Sequence, residues 1–340
     1  MRYLPDWLRR QRAQQLVNWG RVRTSDAAAY GETIASSHPD CPFYALRDVY
    51  VAGRPAVIAR TLEPPFHIIE QSIDYPGRRG LIKRFLRNDL RTVLVRPLDQ
   101  AMLLGPVPSP FDSFWHWMFE ACLRAILAEE CGFTGVYLVP PHAYVRQTLF
   151  LAGISAERLV VHDGGIWRVA RLWTSSHLHG QELLAYPSLL LKLRAAMLRH
   201  IRPESGRHRV YVSRNRQGVV RQILNEPEFK ALIAKFGFEE YFCEDHDIAQ
   251  QLARFAACEA VIGSDGAGLA TNALYMPEGS LVVSLFSPLR FEVGGTLLPV
   301  KVLKHRYYPI MPYVSKPYPY GNDVVANLDM IEVTLERELG

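Results

Sequence analysis

The sequence has few of the features that mark a disulfide-rich, zinc-binding or membrane-spanning protein. Its five cysteines are an odd number, are scattered along the chain and form no C-x-x-C pair, which argues against a disulfide framework and a zinc site. No stretch approaches the roughly 18 apolar residues of a membrane span, and the chain begins with a charged, interrupted segment in place of a signal peptide. We therefore expect a cytoplasmic protein.

Composition and net charge argue against further classes of protein. The chain has 340 residues, 49% of them apolar and 21% charged, which is typical of a globular protein. Its length suits two domains of about 150 residues each. A net charge of +5 fits an anionic ligand, but it is low for a dedicated nucleic-acid binder, and no basic stretch interleaved with aromatics forms a stacking platform. We expect no nucleic-acid partner.

The first 24 residues are basic and partly apolar. They contain six arginines against one acid, Asp6, with Trp7 and Trp19 among them. As a helix, residues 1–24 would lie on anionic lipid, which would make the protein peripheral at the inner face of the plasma membrane. The alternative is a helix packed on its own domain with a solvated basic face. The sequence leaves both interpretations open.

The pattern of apolar residues predicts two α/β domains. Short strands are predicted before residue 100, one of them at 92–96, and a helix with strong periodicity at 112–130. From residue 135 onward, strands alternate with helices, which favours βαβ units and a parallel sheet. We expect an amino-terminal α/β domain at 1–180, a carboxy-terminal α/β domain at 181–320 and a final helix at 321–340. The region 287–322 is rich in Pro and Tyr, and we predict that it has no regular secondary structure.

An arginine-rich segment surrounds the strand predicted at 209–213. Residues 207–221 contain no acid and five arginines: Arg207, Arg209, Arg214, Arg216 and Arg221. Ligands of open parallel sheets bind at the carboxyl ends of strands, and a guanidinium matches phosphate in charge and geometry. The segment therefore predicts an anion site at a strand's exit. A solvated basic loop is the alternative.

Two further loops follow predicted strands. The glycines of Gly263–Gly268 would let a ligand approach the backbone at a helix start, although a tight turn explains them equally well. Their G-x-x-G-x-G spacing differs from the dinucleotide fingerprint, which argues against the interpretation of the chain as an NAD-dependent oxidoreductase. The acidic run Glu244–Asp247 predicts a helix cap, with Asp247 and Gln250 as reciprocal partners, in preference to a metal site.

These elements together resemble glycosyltransferase family 61. The run Val210–Glu226 resembles the family's S-R-x(n)-R-x-I-x-N-E signature, and Phe114–Glu120 resembles its F-x-H-W-x-x-E element. Gln251 and Phe255, then 260–263, then Gly266–Leu269 and Asn272 follow in the family's order. The resemblance covers roughly residues 105–290 and is specific because separated elements recur in sequence.

The resemblance implies a GT-B architecture, in which two Rossmann-like α/β domains face a cleft. It implies transfer of a sugar, with inversion, from a nucleotide-diphosphate donor to a glycan or lipid-linked glycan in bacterial surface polysaccharide biosynthesis. Because no D-x-D motif stands before a predicted strand, arginines and a helix start would replace a metal, and no cofactor is expected. The implied donor-binding residues are Arg214 and Arg221 for the pyrophosphate, Asn225 and Glu226 for ordering the loop or touching the nucleotide, Gly266, Ala267 and Gly268 for backbone N–H groups, and Asn272 for bracing the turn.

The predicted catalytic residues lie on the 112–130 helix. His116 and Glu120 are one turn apart and share a face, so the imidazole would accept the acceptor's proton while the carboxylate orients it. Asp112, a turn earlier, is the alternative base. In the competing interpretation, His116 is a buried histidine that ties the helix to a loop.

Three positions depart from the family's pattern. Asp265 stands where a histidine is common, Ser284 where a glutamate that contacts ribose is expected, and Ser113 where an asparagine often precedes the F-x-H element. A carboxylate at 265 would disfavour a neighbouring pyrophosphate unless it faces the sugar, a ribose hydroxyl or an arginine. These departures leave open a non-catalytic nucleotide-sugar or glycan-binding protein on the same fold.

Overall fold

The computed structural model describes residues 17–20, 31–34, 43–52, 57–59, 66–69, 94–104, 113–175, 183, 186–216, 222–286, 296–314 and 323–340. The chain divides into two compact units, Met1–Leu178 and His179–Gly340. Each unit contains a β-sheet with helices, so the fold is of the α/β class.

The described part of the first unit contains one mixed sheet. Its strands are β1 (Val17–Gly20), β2 (Gly31–Ile34), β3 (Phe43–Ala52), β4 (Val57–Ala59), β5 (Phe66–Ile69), β6 (Val95–Leu103), β7 (Val136–Val139), β8 (Leu159–Val161) and β9 (Ile166–Ser175). The order is β1-β5-β4-β3-β9-β6-β7-β8, with β2 also paired to β3. The pairs β9–β6, β6–β7 and β7–β8 are parallel. Strand β3, in contrast, pairs antiparallel with β2, β4 and β9. Only part of this sheet therefore has the parallel pairing of a Rossmann-like domain.

Two helical regions accompany this sheet in the described residues. Helix α1 consists of three consecutive segments: α-helical Phe114–His116, π-helical Trp117–Cys122 and α-helical Leu123–Glu130. Helix α2 spans Ala143–Leu151. The Trp117 indole N–H donates to Thr148 Oγ1 over 2.8 Å, and both side chains are buried. This bond fixes α1 against α2.

Two sequence predictions in the first unit are wrong. Residues 17–20 form strand β1, so the helix predicted across residues 1–24 does not extend through them; the rest of that segment lies outside the described residues. The strand predicted at 92–96 instead spans Val95–Leu103. Pro97 lies within β6 but pairs only with β9, because β7 joins β6 from Ala101 onward. A proline is tolerated where a strand has one neighbour.

The second unit contains an all-parallel sheet of five described strands. They are β10 (His208–Val212), β11 (Phe238–Tyr241), β12 (Cys258–Ser264), β13 (Leu281–Leu285) and β14 (Arg306–Ile310). The order is β11-β10-β12-β13-β14. Strands β12 and β13 are buried along almost their whole length, which is why both read as continuous apolar runs.

Six α-helices and one short ribbon accompany this sheet in the described part of the second unit. The helices are α3 (Pro187–Leu198), α4 (Glu226–Ala234), α5 (Ile248–Ala256), α6 (Ala267–Asn272), α7 (Leu297–Val302) and α8 (Leu328–Leu339), and the ribbon pairs β15 (Tyr313–Val314) with β16 (Val324–Val325). Ile331 and Leu335 of α8 join Phe229 of α4 in the core against the sheet. The final helix therefore belongs to the second unit's core.

The prediction that residues 287–322 are irregular is wrong for the described part of that region. Residues 297–302 form α7 and residues 306–310 form β14, which adds a fifth strand beside β13. Pro309 lies on this strand, opposite Ser284. Strand β14 is the last strand of the described sheet and pairs only with β13. The missing N–H of Pro309 therefore removes no hydrogen bond to a further strand on the other side of β14.

Candidate functional site

The strand order of the second sheet places two predicted loops next to each other. The chain runs from β10 to β11 on one side of β10, and then returns to β12, which pairs with β10 on its other side. The reversal makes the carboxyl ends of β10 and β12 a topological switch point, where doubly wound sheets bind nucleotides. Arg214 follows β10 and Gly266 follows β12, so both lie at this point.

The arginine-rich segment does not form one cluster. Arg207 and Arg209 lie at the amino end of β10, where both contact Glu259: Arg209 Nε donates to Oε1 over 2.7 Å, and Arg207 Nη1 lies 3.7 Å from Oε2. A five-residue strand spans about 16 Å, so these two residues are remote from the carboxyl edge. The prediction that all five arginines gather at the strand's exit is wrong.

The arginines beyond β10 differ in their surroundings. Arg216 forms an ion pair with Asp245, and its guanidinium lies 3.6 Å from the centre of the Phe242 ring. Arg214 is half-buried. Its positive charge acts on the Cys243 thiol, although burial outweighs it and raises the pKa of Cys243 to about 12. Arg221 lies outside the described residues.

Asn225 and Glu226 make contacts that order the loop after β10. The Asn225 amide pairs with the backbone of Ala326, donating to its oxygen over 3.0 Å and accepting from its N–H over 2.8 Å. Glu226 Oε1 accepts from the Tyr211 hydroxyl at 2.8 Å and from Ser213 Oγ at 3.3 Å. Of the two roles predicted for these residues, these contacts correspond to ordering the loop.

The glycines around β12 make room for this chain's own atoms. A Cβ on Gly263 would lie 2.7 Å from the Val212 backbone oxygen, and one on Gly268 would lie 3.3 Å from Cys243 Sγ. Gly263 therefore permits close pairing with β10, and Gly268 permits α6 to start against the end of that strand. Residues Gly266 to Gly268 form the first turn of α6, where N–H groups lack partners within the helix.

Asn272, at the end of α6, connects the helix to its neighbours. Its amide donates to Gln251 Oε1 over 3.2 Å, and Gln251 in turn donates to the backbone oxygens of Cys243 and His246. Gln251 and Asn272 are both buried. The chain of bonds joins α6, α5 and the loop after β11, which is consistent with the bracing role predicted for Asn272.

The acidic run after β11 includes a helix cap. Asp247 accepts a hydrogen bond from the Gln250 backbone N–H at 2.8 Å, and the Gln250 side chain accepts from the Asp247 N–H at 2.9 Å. The predicted capping box is confirmed. Among the residues that the structure describes, no group of three or more histidine, cysteine or acidic side chains has the arrangement of a metal site.

His116 and Glu120 form a polar pair on α1 in the first unit. His116 Nδ1 lies 2.9 Å from Glu120 Oε1; the imidazole is 27% exposed, and the carboxylate is 1% exposed. A carboxylate only accepts hydrogen bonds, so the neutral imidazole carries its proton on Nδ1 and its lone pair on Nε2. Such a partner fixes the ring and its tautomer, which suits a proton acceptor.

Glu120 lies within the π-helical segment of α1. π-helical turns are rare and occur frequently at functional sites. Glu120 Oε2 has no hydrogen-bond partner among the described residues, although it is buried. The described contact of His116 is with its own helix, in contrast to the alternative in which it ties the helix to a loop.

A model of the glycosyltransferase 61 family matches residues 114–283, half of the chain. This chain belongs to glycosyltransferase family 61. The match begins at the first residue of α1 and ends within β13, so it includes His116, Glu120 and the loops at the carboxyl ends of β10 and β12. No protein with a curated description matches the sequence.

Family membership identifies the chain as a transferase of the glycosyltransferase type, which implies a sugar donor and an acceptor as substrates. No described helix has both the length and the apolar character needed to cross a membrane. Asp112, the alternative base, lies outside the described residues, and Ser113 occupies the N-cap position of α1 without a side-chain cap bond.

Thr296 is a candidate site residue that the sequence did not single out. It lies before α7, in the region predicted to be irregular, and its hydroxyl donates to Asp265 Oδ1 over 2.6 Å. Both side chains are buried. A threonine 31 residues after its partner gives no sequence signal, because only the tertiary fold, in which α7 packs on α6 and α3, brings the two together.

Proposed function

We propose that this family 61 glycosyltransferase moves a sugar from a nucleotide-diphosphate donor to a hydroxyl group of a glycan or lipid-linked glycan, with inversion and without a metal ion. The observation that carries the proposal is the coincidence of Arg214 and the Gly266–Gly268 turn at the switch point of the second sheet. Nucleotides bind doubly wound sheets at this position, and a guanidinium with backbone N–H groups suits a diphosphate.

In this mechanism the leaving diphosphate is stabilised by the second unit. Arg214 and Arg221 bind its oxygens, and the N–H groups of Gly266, Ala267 and Gly268 donate to them, so these groups compensate the negative charge that develops on the diphosphate as its bond to the sugar breaks. Asn225, Glu226 and Asn272 hold these loops in place through the contacts described above. Asp265 contributes to donor binding on the side away from the phosphates.

His116 is the proposed general base. Its Nε2 accepts the proton of the acceptor hydroxyl as that oxygen forms a bond to the anomeric carbon and the bond from this carbon to the diphosphate breaks. Glu120 stabilises the imidazolium and keeps Nδ1 protonated, because their 2.9 Å contact becomes an ion pair at that moment. The attack from the face opposite the leaving group inverts the anomeric configuration.

The biological setting is proposed on the family resemblance alone. We place the enzyme in the cytoplasm, where nucleotide sugars are made, as part of bacterial surface polysaccharide biosynthesis. Residues 1–24, with six arginines against one acid, would add a peripheral contact with anionic lipid at the inner membrane face. The GT-B architecture, with the first unit binding the acceptor and the second the donor, belongs to the same proposal.

A ligand screen followed by a turnover assay tests the function. At a ligand concentration 100 times Kd, binding should stabilise the protein by about 2.7 kcal/mol, so the matching UDP, GDP, CMP or TDP sugar should raise the melting temperature. If none of these sugars changes the melting temperature, the proposed donor site is wrong.

Asp265 and Ser284, which depart from the family pattern, favour a second candidate function. This candidate is a non-catalytic binding protein, which would show donor-induced stabilisation without transfer or donor hydrolysis.

A further inference from the structure

Arg214, which the proposed function assigns to the diphosphate, lies between two anchored residues. On one side, the Ser213 backbone N–H donates to the Tyr241 oxygen over 3.0 Å, and Ser213 Oγ donates to Glu226 Oε1 over 3.3 Å. On the other side lies Asn215, whose side chain makes two hydrogen bonds to the backbone. The position of the Arg214 backbone therefore depends on what these two neighbours contact.

Asn215 pairs with the backbone of Ile223 much as a neighbouring strand would. Its Nδ2 donates to the Ile223 oxygen, and its Oδ1 accepts the Ile223 N–H, both over 3.2 Å. Ile223 is 3% exposed, so water has little access to these two backbone groups. Without the amide, a buried donor and a buried acceptor would lose their partners, which costs more than the bonds themselves contribute. These bonds therefore hold the start of the loop after β10 against Ile223.

Ile223 is in turn fixed by a segment near the end of the chain. The Leu224 N–H donates to the Val324 oxygen, and the Val324 N–H donates to the Gln222 oxygen, each over 2.8 Å. The side chains of Ile223 and Val324 belong to the same hydrophobic core of the second unit. The Asn215 amide is therefore bonded to a part of the backbone that is itself ordered on both its sides.

We propose that Asn215 is a positioning residue for donor binding, which holds Arg214 at the carboxyl edge of the sheet in the orientation that binds the diphosphate. This inference rests on the proposed function and adds a residue that preorganises its anion site. Preorganisation strengthens binding, because ordering a mobile arginine at the moment of binding would offset part of the free energy gained. Since Ile223 engages both ends of the Asn215 amide, the residue acts through Arg214 and not on the ligand.

Calorimetric titration of the full chain with inorganic pyrophosphate, UDP, GDP and CDP tests the inference. Asn215→Ala should weaken binding of pyrophosphate and of the preferred nucleoside diphosphate by about three- to tenfold. Asn215→Ser, whose hydroxyl can form one of the two bonds, should bind with intermediate affinity, and it provides the comparison if Asn215→Ala does not fold. In a protein that already carries Arg214→Ala, Asn215→Ala should change the dissociation constant by less than about twofold, because the residue that it positions is gone.

The matched control is Asn327→Ala, which also removes an asparagine bonded to backbone: Asn327 caps α8, where its Oδ1 accepts the Met330 N–H over 3.2 Å. This variant should lower the melting temperature and keep the wild-type affinity. Wild-type affinity of Asn215→Ala or Asn215→Ser would overturn the inference and leave the proposed function standing. Equal losses from Asn215→Ala with and without Arg214 would also overturn it, because the effect would then not pass through Arg214. If wild-type protein binds neither pyrophosphate nor any of these diphosphates, the proposed function fails, and the inference fails with it.

Discussion

The carboxyl edge of the second sheet draws its candidate residues from four parallel strands and the loops between them, whereas His116 and Glu120 lie four residues apart on one helix. The first region is held by contacts between distant residues, such as Asn225 with Ala326 and Asp265 with Thr296. The second region is local, and its geometry depends on the π-helical segment that contains Glu120.

We expect the two regions to serve different steps: the edge of the second sheet binds the donor, and the His116–Glu120 pair transfers the proton. Several residues order the edge of the second sheet, so loss of a single bracing contact should weaken donor binding gradually. The proposed proton transfer, in contrast, depends on one imidazole and one buried partner. The predictions below test whether the two regions respond as differently as their construction suggests.

The largest effect is expected from His116→Ala. Removal of a general base lowers turnover by about 10²- to 10⁴-fold, while donor-induced stabilisation should remain as in the wild type, because the second unit is untouched. Steady-state kinetics and thermal shift with the same donor measure the two responses. His200→Ala, at an exposed position after α3, is the control and should retain turnover. Normal turnover by His116→Ala would remove this residue as the base.

Arg214→Ala should weaken donor binding by about 10- to 100-fold, because a charge-assisted hydrogen bond to phosphate is lost. Titration calorimetry with the preferred nucleoside diphosphate measures the change. Arg207→Ala removes the same charge at the amino end of β10, where Arg207 is 85% exposed beside Glu259, and should bind as the wild type does. Equal affinity of both variants would place the anion elsewhere.

Gly263→Ala should destabilise the second unit by about 1–3 kcal/mol, because the new Cβ would lie 2.7 Å from the Val212 backbone oxygen and force β10 away from β12. Gly268→Ala should cost less, since its nearest neighbours are the side chains of Cys243 and Val212. Urea unfolding of both variants gives the ranking. A Gly263→Ala protein as stable as the wild type would contradict the close pairing.

The smallest effect is a dependence of stability on pH through His305. Burial lowers the pKa of His305 below that of an unfolded histidine, although Nε2 contacts the Ala273 oxygen at 2.9 Å. The unfolded chain therefore binds the proton first as pH falls below about 6.5, and the free energy of unfolding drops by at most about 1.4 kcal/mol per pH unit.

Urea unfolding between pH 8 and pH 5 compares the wild type with His305→Gln, with pH values chosen around the histidine range of about 6.5. The stability difference between the two proteins should narrow or reverse toward acid pH. A difference that stays constant across this range would show that His305 does not titrate differently in the folded and unfolded states.

The sequence predicted the helices and strands of residues 135–286 well because their periodicity and caps are local properties. The Asp247–Gln250 capping box is an example, since both partners lie three residues apart. Prediction failed around Pro309, where a Pro- and Tyr-rich composition suggested irregular structure, and the strand predicted at 92–96 ended before Pro97, which lies within β6. The tolerance of both prolines depends on which strands pair beside them, and no local pattern contains that information.

The candidate site divides in the same way. Sequence alone determined the membership of the arginine and glycine motifs in a known family and the shared face of His116 and Glu120, because these depend on residue type and short spacing. Only the tertiary structure decided that Arg207 and Arg209 are paired with Glu259 at the far end of β10, that a π-helical turn carries Glu120, and that Thr296 holds Asp265. Each of these depends on contacts between residues far apart in the chain or on the way a helix packs, which sequence spacing does not specify.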